Sequence, residues 1–169
     1  MWAPSGGTEP GLYEDIIRRM ASHGFVVIAI SSSPGNATKA IEALNWLEEK
    51  NKASDGPLAG KLDMNTVGCS GHSMGGIESE QAIIIDKRVK TSILNNSGDL
   101  GHSAMSHIPD GKSIAIVYGI KGMEKFNAEL DYGNPKVKVP ACLIMMDGGE
   151  YGHGCGPWDG MAVTVSWFR

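Results

Sequence analysis

At 169 residues the chain has the length of a single domain, spanning residues 1–169, with room for a real core. Fifteen Lys and Arg against 19 Asp and Glu leave a formal charge of −4, which argues against a nucleic-acid partner held by phosphate neutralisation. With 41% hydrophobic and 20% charged residues the composition is globular, and apolar runs such as Phe25 to Ile30 are far shorter than the ~20 residues a membrane span needs.

The elements follow in chain order. Leu12, Ile16, Ile17 and Met20 share one helical face, with Gly24 as a stop. Phe25 to Ile30 is continuous and β-rich, the pattern of a parallel strand covered on both faces. Ala37, Ala40, Ile41, Leu44 and Leu47 form a second helical stripe, and a strand through Thr66-Val67-Gly68-Cys69 leads to Gly71. A helix near Met74 to Ile85 follows, then strands at Lys90 to Leu94, Ile114 to Tyr118 and Ala141 to Met146, and an amphipathic segment from about Trp158 to Phe168. Strands alternating with helical stripes predict an α/β fold, a mostly parallel sheet with helices on both faces. Chemistry in such sheets sits at the carboxyl ends of the strands.

Cys69, Cys142 and Cys155 cannot all pair within one chain and lack the spacing of a zinc site; Cys69 and Cys142 read as core residues. The N-terminal residues lack the pattern of a secretion signal, and the compartment stays open.

The strongest motif is Gly71-His72-Ser73-Met74-Gly75, followed by Gly76, at a strand-to-helix junction. Small residues there allow a turn too sharp for Cβ atoms, which pushes the Ser73 hydroxyl outward. The following helix N-terminus favours negative charge, and the Met74 N–H lies where an oxyanion would form. Among five histidines, His153 alone follows the last core strand, in the loop Gly148-Gly149-Glu150-Tyr151-Gly152-His153-Gly154, where a general base is expected. His72 reads as packing, His23 as structural, and His102 and His107 as loop residues. Gly101-His102-Ser103-Ala104-Met105 repeats the start of the motif without its second glycine.

With Leu12 to Gly24, Phe25-Val26-Val27, Asn45-Trp46-Leu47 and the Ser73 motif together, the sequence resembles the α/β-hydrolase superfamily. Within it the likeness is to dienelactone-hydrolase-like and cutinase-like esterases, including bacterial lipases and polyester hydrolases. The resemblance implies a shortened α/β-hydrolase fold and a serine hydrolase cleaving small-molecule or polymeric carboxylic esters through an acyl-enzyme. It implies a Ser, His and acid triad, with no metal or organic cofactor.

Two positions depart from that pattern. The aspartate that relatives carry after the strand Ile114 to Tyr118 matches Gly122 here, which leaves Glu124, Asp131 and Asp147 as candidate acids, with Glu124 first. Without an aspartate at Gly122 the imidazole is expected to lack its usual orienter, giving a weak, broad esterase limited by kcat. Trp2-Ala3-Pro4-Ser5-Gly6-Gly7 resembles the oxyanion loop, with the Gly6 N–H as second donor. Relatives place a strand between those at Phe25 and Val67. Its absence predicts a central gap, closed by direct pairing of the two neighbours, which is the expectation here, or left because the chain is a fragment, or filled by another chain, and an exposed sheet edge open to self-association.

The short connection between the last strands argues against a large lid, and Trp158 and Tyr151, flanking His153, offer flat apolar surface to a substrate. The alternative from another class is a non-catalytic α/β-hydrolase-like fragment or binding module.

Overall fold

In a computed structural model, which describes residues 1–148 and 151–169, five parallel strands form one sheet in sequence order. They are β1 (Trp2–Ala3), β2 (Val67–His72), β3 (Val89–Asn95), β4 (Ser113–Gly119) and β5 (Ala141–Met146). The helices are α1 (Glu14–Ser22), α2 (Thr38–Lys52), α3 (Met74–Ile85), α4 (Lys125–Gly133) and α5 (Met161–Phe168). This is the α/β class expected from the alternation of strands and helical stripes.

Alternation along the strands decides which helix covers which face. Leu94, Ile114, Ile116 and Tyr118 point toward Ala40 and Leu44 of α2, Ile83 of α3 and Ala128 of α4 in one core. Ile93, Ala115 and Val117 point the other way, against Val163, Trp167 and Phe168 of α5. On that second face Trp2, Tyr13, Ile16, Met20 and Val165 join α1 to α5. Glu14 and Asp15 open α1 and Arg19 lies in its last turn, each with the sign that suits the helix dipole. Leu12 was expected on the buried face of α1, but it lies in a preceding turn of 3-10 helix (Pro10–Tyr13) and is exposed. The last helix begins at Met161, three residues later than the apolar pattern suggested.

The centre of the sheet corrects the sequence reading. Residues 25–30 do not pair beside β2. They run extended and touch the sheet through one parallel bridge, Trp2 with Ala29. Trp2 N–H donates to Ile28 O at 2.8 Å, and Ile30 N–H donates to Trp2 O at 3.0 Å. On its other side β1 pairs with β2, Trp2 opposite Ser70 and Ala3 opposite Gly71. The two residues expected at the start of a loop therefore form a two-residue strand between β2 and residues 25–30. They fill the gap only at its upper end. Below them a cavity of about 400 Å³ separates residues 25–27 from Val67 and Gly68, lined also by Met20, Leu44 and Leu62.

Candidate active site

Ser73 sits between β2 and α3 with φ 54° and ψ −118°, a conformation costly for a residue with a Cβ. The surroundings hold it there. Its N–H donates to Asn95 O at 3.0 Å, and its carbonyl accepts from Gly76 N–H and from Ser97 Oγ, both at 2.8 Å. The glycines of the turn are set by close approach: a Cβ at Gly71 would strike the Gly75 carbonyl, and one at Gly75 would strike the Ala3 carbonyl. The second contact locks the start of α3 directly onto the β1 stub.

Met74 opens α3, so its N–H has no acceptor within the helix. The Met74 side chain lies against the loop expected to supply the second oxyanion donor: a Cβ on Gly6 would come 3.1 Å from Met74 Cγ. Residues 33–36 wall the same region. They are held by the fully buried Glu78, whose carboxylate accepts the N–H groups of Gly35, Asn36 and Ala40. Ala40 lies in the first turn of α2, where Asn36 Oδ1 accepts the Thr38 N–H, and Glu78 satisfies a further N–H of that helix end from α3. Ser33 Oγ, on the same loop, donates to Pro4 O at 2.6 Å.

His153 is one-third exposed, and its Nδ1 donates to Glu124 Oε2 at 2.8 Å. In a neutral imidazole this leaves Nε2 as the proton acceptor. Glu124, the N-cap of α4, is buried and also accepts from Asn96 Nδ2 at 2.7 Å. The other two candidate acids lie elsewhere: Asp131 binds His102 Nδ1 at 2.9 Å, and Asp147 is exposed. The departure at Gly122 now has a physical reading. A Cβ there would strike Glu124 Oε1 and lie 2.7 Å from its Cδ, so the Glu124 carboxylate occupies the space that a side chain at 122 would need. The usual aspartate is missing, and Glu124, the first of the candidate acids, is the carboxylate that meets the imidazole.

His72, read from sequence as packing, bridges the site. Its Nε2 donates to the His153 carbonyl at 2.7 Å, and its Nδ1 accepts from Tyr13 Oη at 2.9 Å. Tyr13 Oη in turn accepts the Ser5 N–H at 3.0 Å. One buried relay thus ties the N-terminal loop to the backbone of His153, and burial holds the His72 imidazole below its ordinary pKa. The rings of His72 and His153 lie 4.9 Å apart, centroid to centroid, which brings His153 beside the Ser73 turn. No sequence signal separates this histidine from a packed one.

Trp158 stacks on Tyr13 with ring centroids 5.6 Å apart and meets His72 edge-on, so much of its surface is used in packing. Tyr151 is half-buried against Gly148, and its carbonyl accepts the Lys121 N–H at 2.9 Å. Gly149 and Glu150 of the same loop lie outside the described residues. Cys69 and Cys155 are buried, Cys142 is half-buried, and all three are free thiols. Among the described residues, no group of three or more His, Cys, Asp or Glu is gathered as metal ligands, and no helix is long and apolar enough to cross a membrane.

The parallel sheet and the elbow at Ser73 agree with a match to a family's sequence pattern over residues 14–102, just over half the chain. The chain belongs to the PET hydrolase-like family. Membership puts it among the ester hydrolases of the α/β-hydrolase type. A comparison with curated proteins finds no match. The family match spans the Ser73 turn and ends before Glu124 and His153, so the roles of those two residues in this PET hydrolase-like chain rest on geometry.

Proposed function

We propose that the chain is a serine carboxylic-ester hydrolase of the carboxylesterase, lipase or polyester-hydrolase type, with Ser73 as nucleophile, His153 as general base and Glu124 as the orienting acid. The observation that carries this reading is the 2.8 Å pair between Glu124 and His153, held through His72 beside the strained Ser73 turn. The Ser73 hydroxyl attacks the ester carbonyl while His153 Nε2 takes its proton. Glu124 stabilises the imidazolium through Nδ1. The N–H groups of Met74 and Gly6 receive the developing oxyanion, favoured by the start of α3. His153 then returns the proton to the leaving alcohol, and water hydrolyses the acyl-enzyme by the same steps in reverse. Tyr151, with whatever face of Trp158 packing leaves free, borders the acyl or aromatic part of the substrate.

The test is turnover of a short-chain p-nitrophenyl ester together with covalent labelling by a fluorophosphonate. Wild type should do both, and Ser73→Ala should lose labelling and about 10³-fold or more in kcat. Full turnover in Ser73→Ala would overturn the reading.

A further inference from the structure

Asn96 is fully buried, directly follows β3, and has a backbone φ of 50°. A left-handed residue there needs no more than glycine or asparagine, and glycine would meet the backbone requirement alone. The side chain is used much more fully than that. Nδ2 donates to Glu124 Oε1 at 2.7 Å and to Gly152 O at 3.1 Å, and lies 3.3 Å from Cys155 Sγ. Oδ1 accepts the Gly156 N–H at 2.6 Å. A donor edge facing two oxygens and an acceptor edge facing an N–H is what a carboxamide supplies; carboxylate and aliphatic side chains of similar size do not.

We infer that Asn96 is a positioning residue: one buried amide turns the Glu124 carboxylate toward His153 and pins both ends of the turn, residues 152–156, that carries the imidazole. The inference rests on the ester-hydrolase reading. Asn96 reaches substrate through neither atom of its amide; it acts through Glu124 and through the backbone on either side of His153. Its own backbone is fixed to the sheet, because its N–H donates to Val117 O at 2.7 Å. The acid and the base, 29 residues apart in sequence, are therefore registered against the same strand end. The sequence gives this residue no motif.

Asn96→Asp is the deciding variant. It keeps the size, tolerates the left-handed backbone and still accepts the Gly156 N–H, but it replaces the donor to Glu124 with a second oxygen. Two carboxylates at hydrogen-bonding distance cannot both ionise cheaply, so protonation of the pair extends to higher pH. Expected are a fall in kcat of about 10–100-fold, a KM within about twofold of wild type, and an acidic limb of the kcat profile about one pH unit higher. Asn96→Gly, which also relieves the backbone, should lose a similar factor in kcat. A merely structural role predicts wild-type kcat and pH profile in Asn96→Asp, and that result would overturn the inference.

A readout that needs no turnover separates this inference from the functional reading. In wild type, ring-nitrogen NMR should show His153 as the Nδ1–H tautomer with a downfield proton, and Asn96→Asp should weaken or abolish that signal. An unchanged signal in the variant would also overturn the inference. A wild type inert to esters and fluorophosphonate that nonetheless shows the expected NMR change would overturn the ester-hydrolase reading and support the positioning role.

Discussion

The two ends of the sheet are built differently. At the carboxyl end the buried polar side chains of His72, Asn95, Asn96, Ser97 and Glu124 are hydrogen-bonded, and loops from five parts of the chain converge on them. At the amino end a cavity of about 400 Å³, lined largely by apolar side chains, opens below Trp2. The comparison teaches that two residues of β1, paired with β2 and bridged to Ala29, tie the N-terminal loop to the Ser73 turn. The carboxyl end takes its order from bonds between loops, whereas the amino end combines packing with polar ties such as Met1 N to Gly68 O and Arg88 to Asp86 and Glu48.

That contrast can be broken most directly at the carboxyl end. Beyond Ser73→Ala, Glu124→Gln should lower kcat by about 10²–10⁴-fold with little change in melting temperature, because it removes the charge that orients and stabilises the imidazolium. Activity near wild type, measured by steady-state kinetics, would break the assignment of the acid. Gly122→Asp comes next. Since the new side chain must displace the Glu124 carboxylate, kcat should fall about tenfold, and Gly122→Asp combined with Glu124→Ala should recover part of the loss by returning to one carboxylate. A gain in the single variant would mean that Glu124 is poorly placed.

At the amino end the expected effect is on stability alone. A Cβ at Gly68 would lie 2.5 Å from Phe168 Cε1, so Gly68→Ala must push that ring aside, at a cost of about 1–3 kcal/mol in chemical denaturation. Its kcat should be unchanged, and a loss of kcat would show that the two ends are coupled.

The smallest effect concerns Glu80, buried in α3 with no hydrogen-bond partner for either carboxylate oxygen among the described residues. Burial first, then the charges of Asp131 and Asp99, push its pKa up to about 8 from 4.5. The folded state therefore holds this proton more tightly than the unfolded state. The stability it contributes is full below about pH 4.5 and declines as pH rises through about 8. Glu80→Gln carries no titrating proton, so it should flatten that decline and add about 1–2 kcal/mol at pH 8. Thermal unfolding at pH 5 and pH 8 is the check, and an equal difference from wild type at both pH values would show that Glu80 does not titrate in this range.

Much of the fold was legible because it depends on local pattern. The β-rich runs at Ile114 to Tyr118 and Ala141 to Met146 and the helical stripe of α2 lie where periodicity put them. The Ser73 turn was legible because its steric demand is written in adjacent glycines. Residues 25–30 misled because an apolar β-rich run fixes neither burial nor pairing: Val26 is exposed, only Ile30 of the six is buried, and strand pairing depends on what lies alongside. Glu124 stood among the candidates for the acid, but Gly122 hid the reason: the carboxylate reaches from two residues further on into the space a side chain at 122 would fill.

The sequence by itself determined the α/β class, the glycine-flanked Ser73 turn and the chain order of the residues proposed to act with it, since each follows from spacing within a few residues or from chain order. Tertiary structure alone decided that Trp2 and Ala3 form a strand beside β2, that His72 bridges Tyr13 to His153, and that Asn96 holds Glu124. The physical reason is the same in all three. Each depends on hydrogen bonds between residues 26 to 81 positions apart, and nothing in a local pattern records which distant donor a buried acceptor will meet.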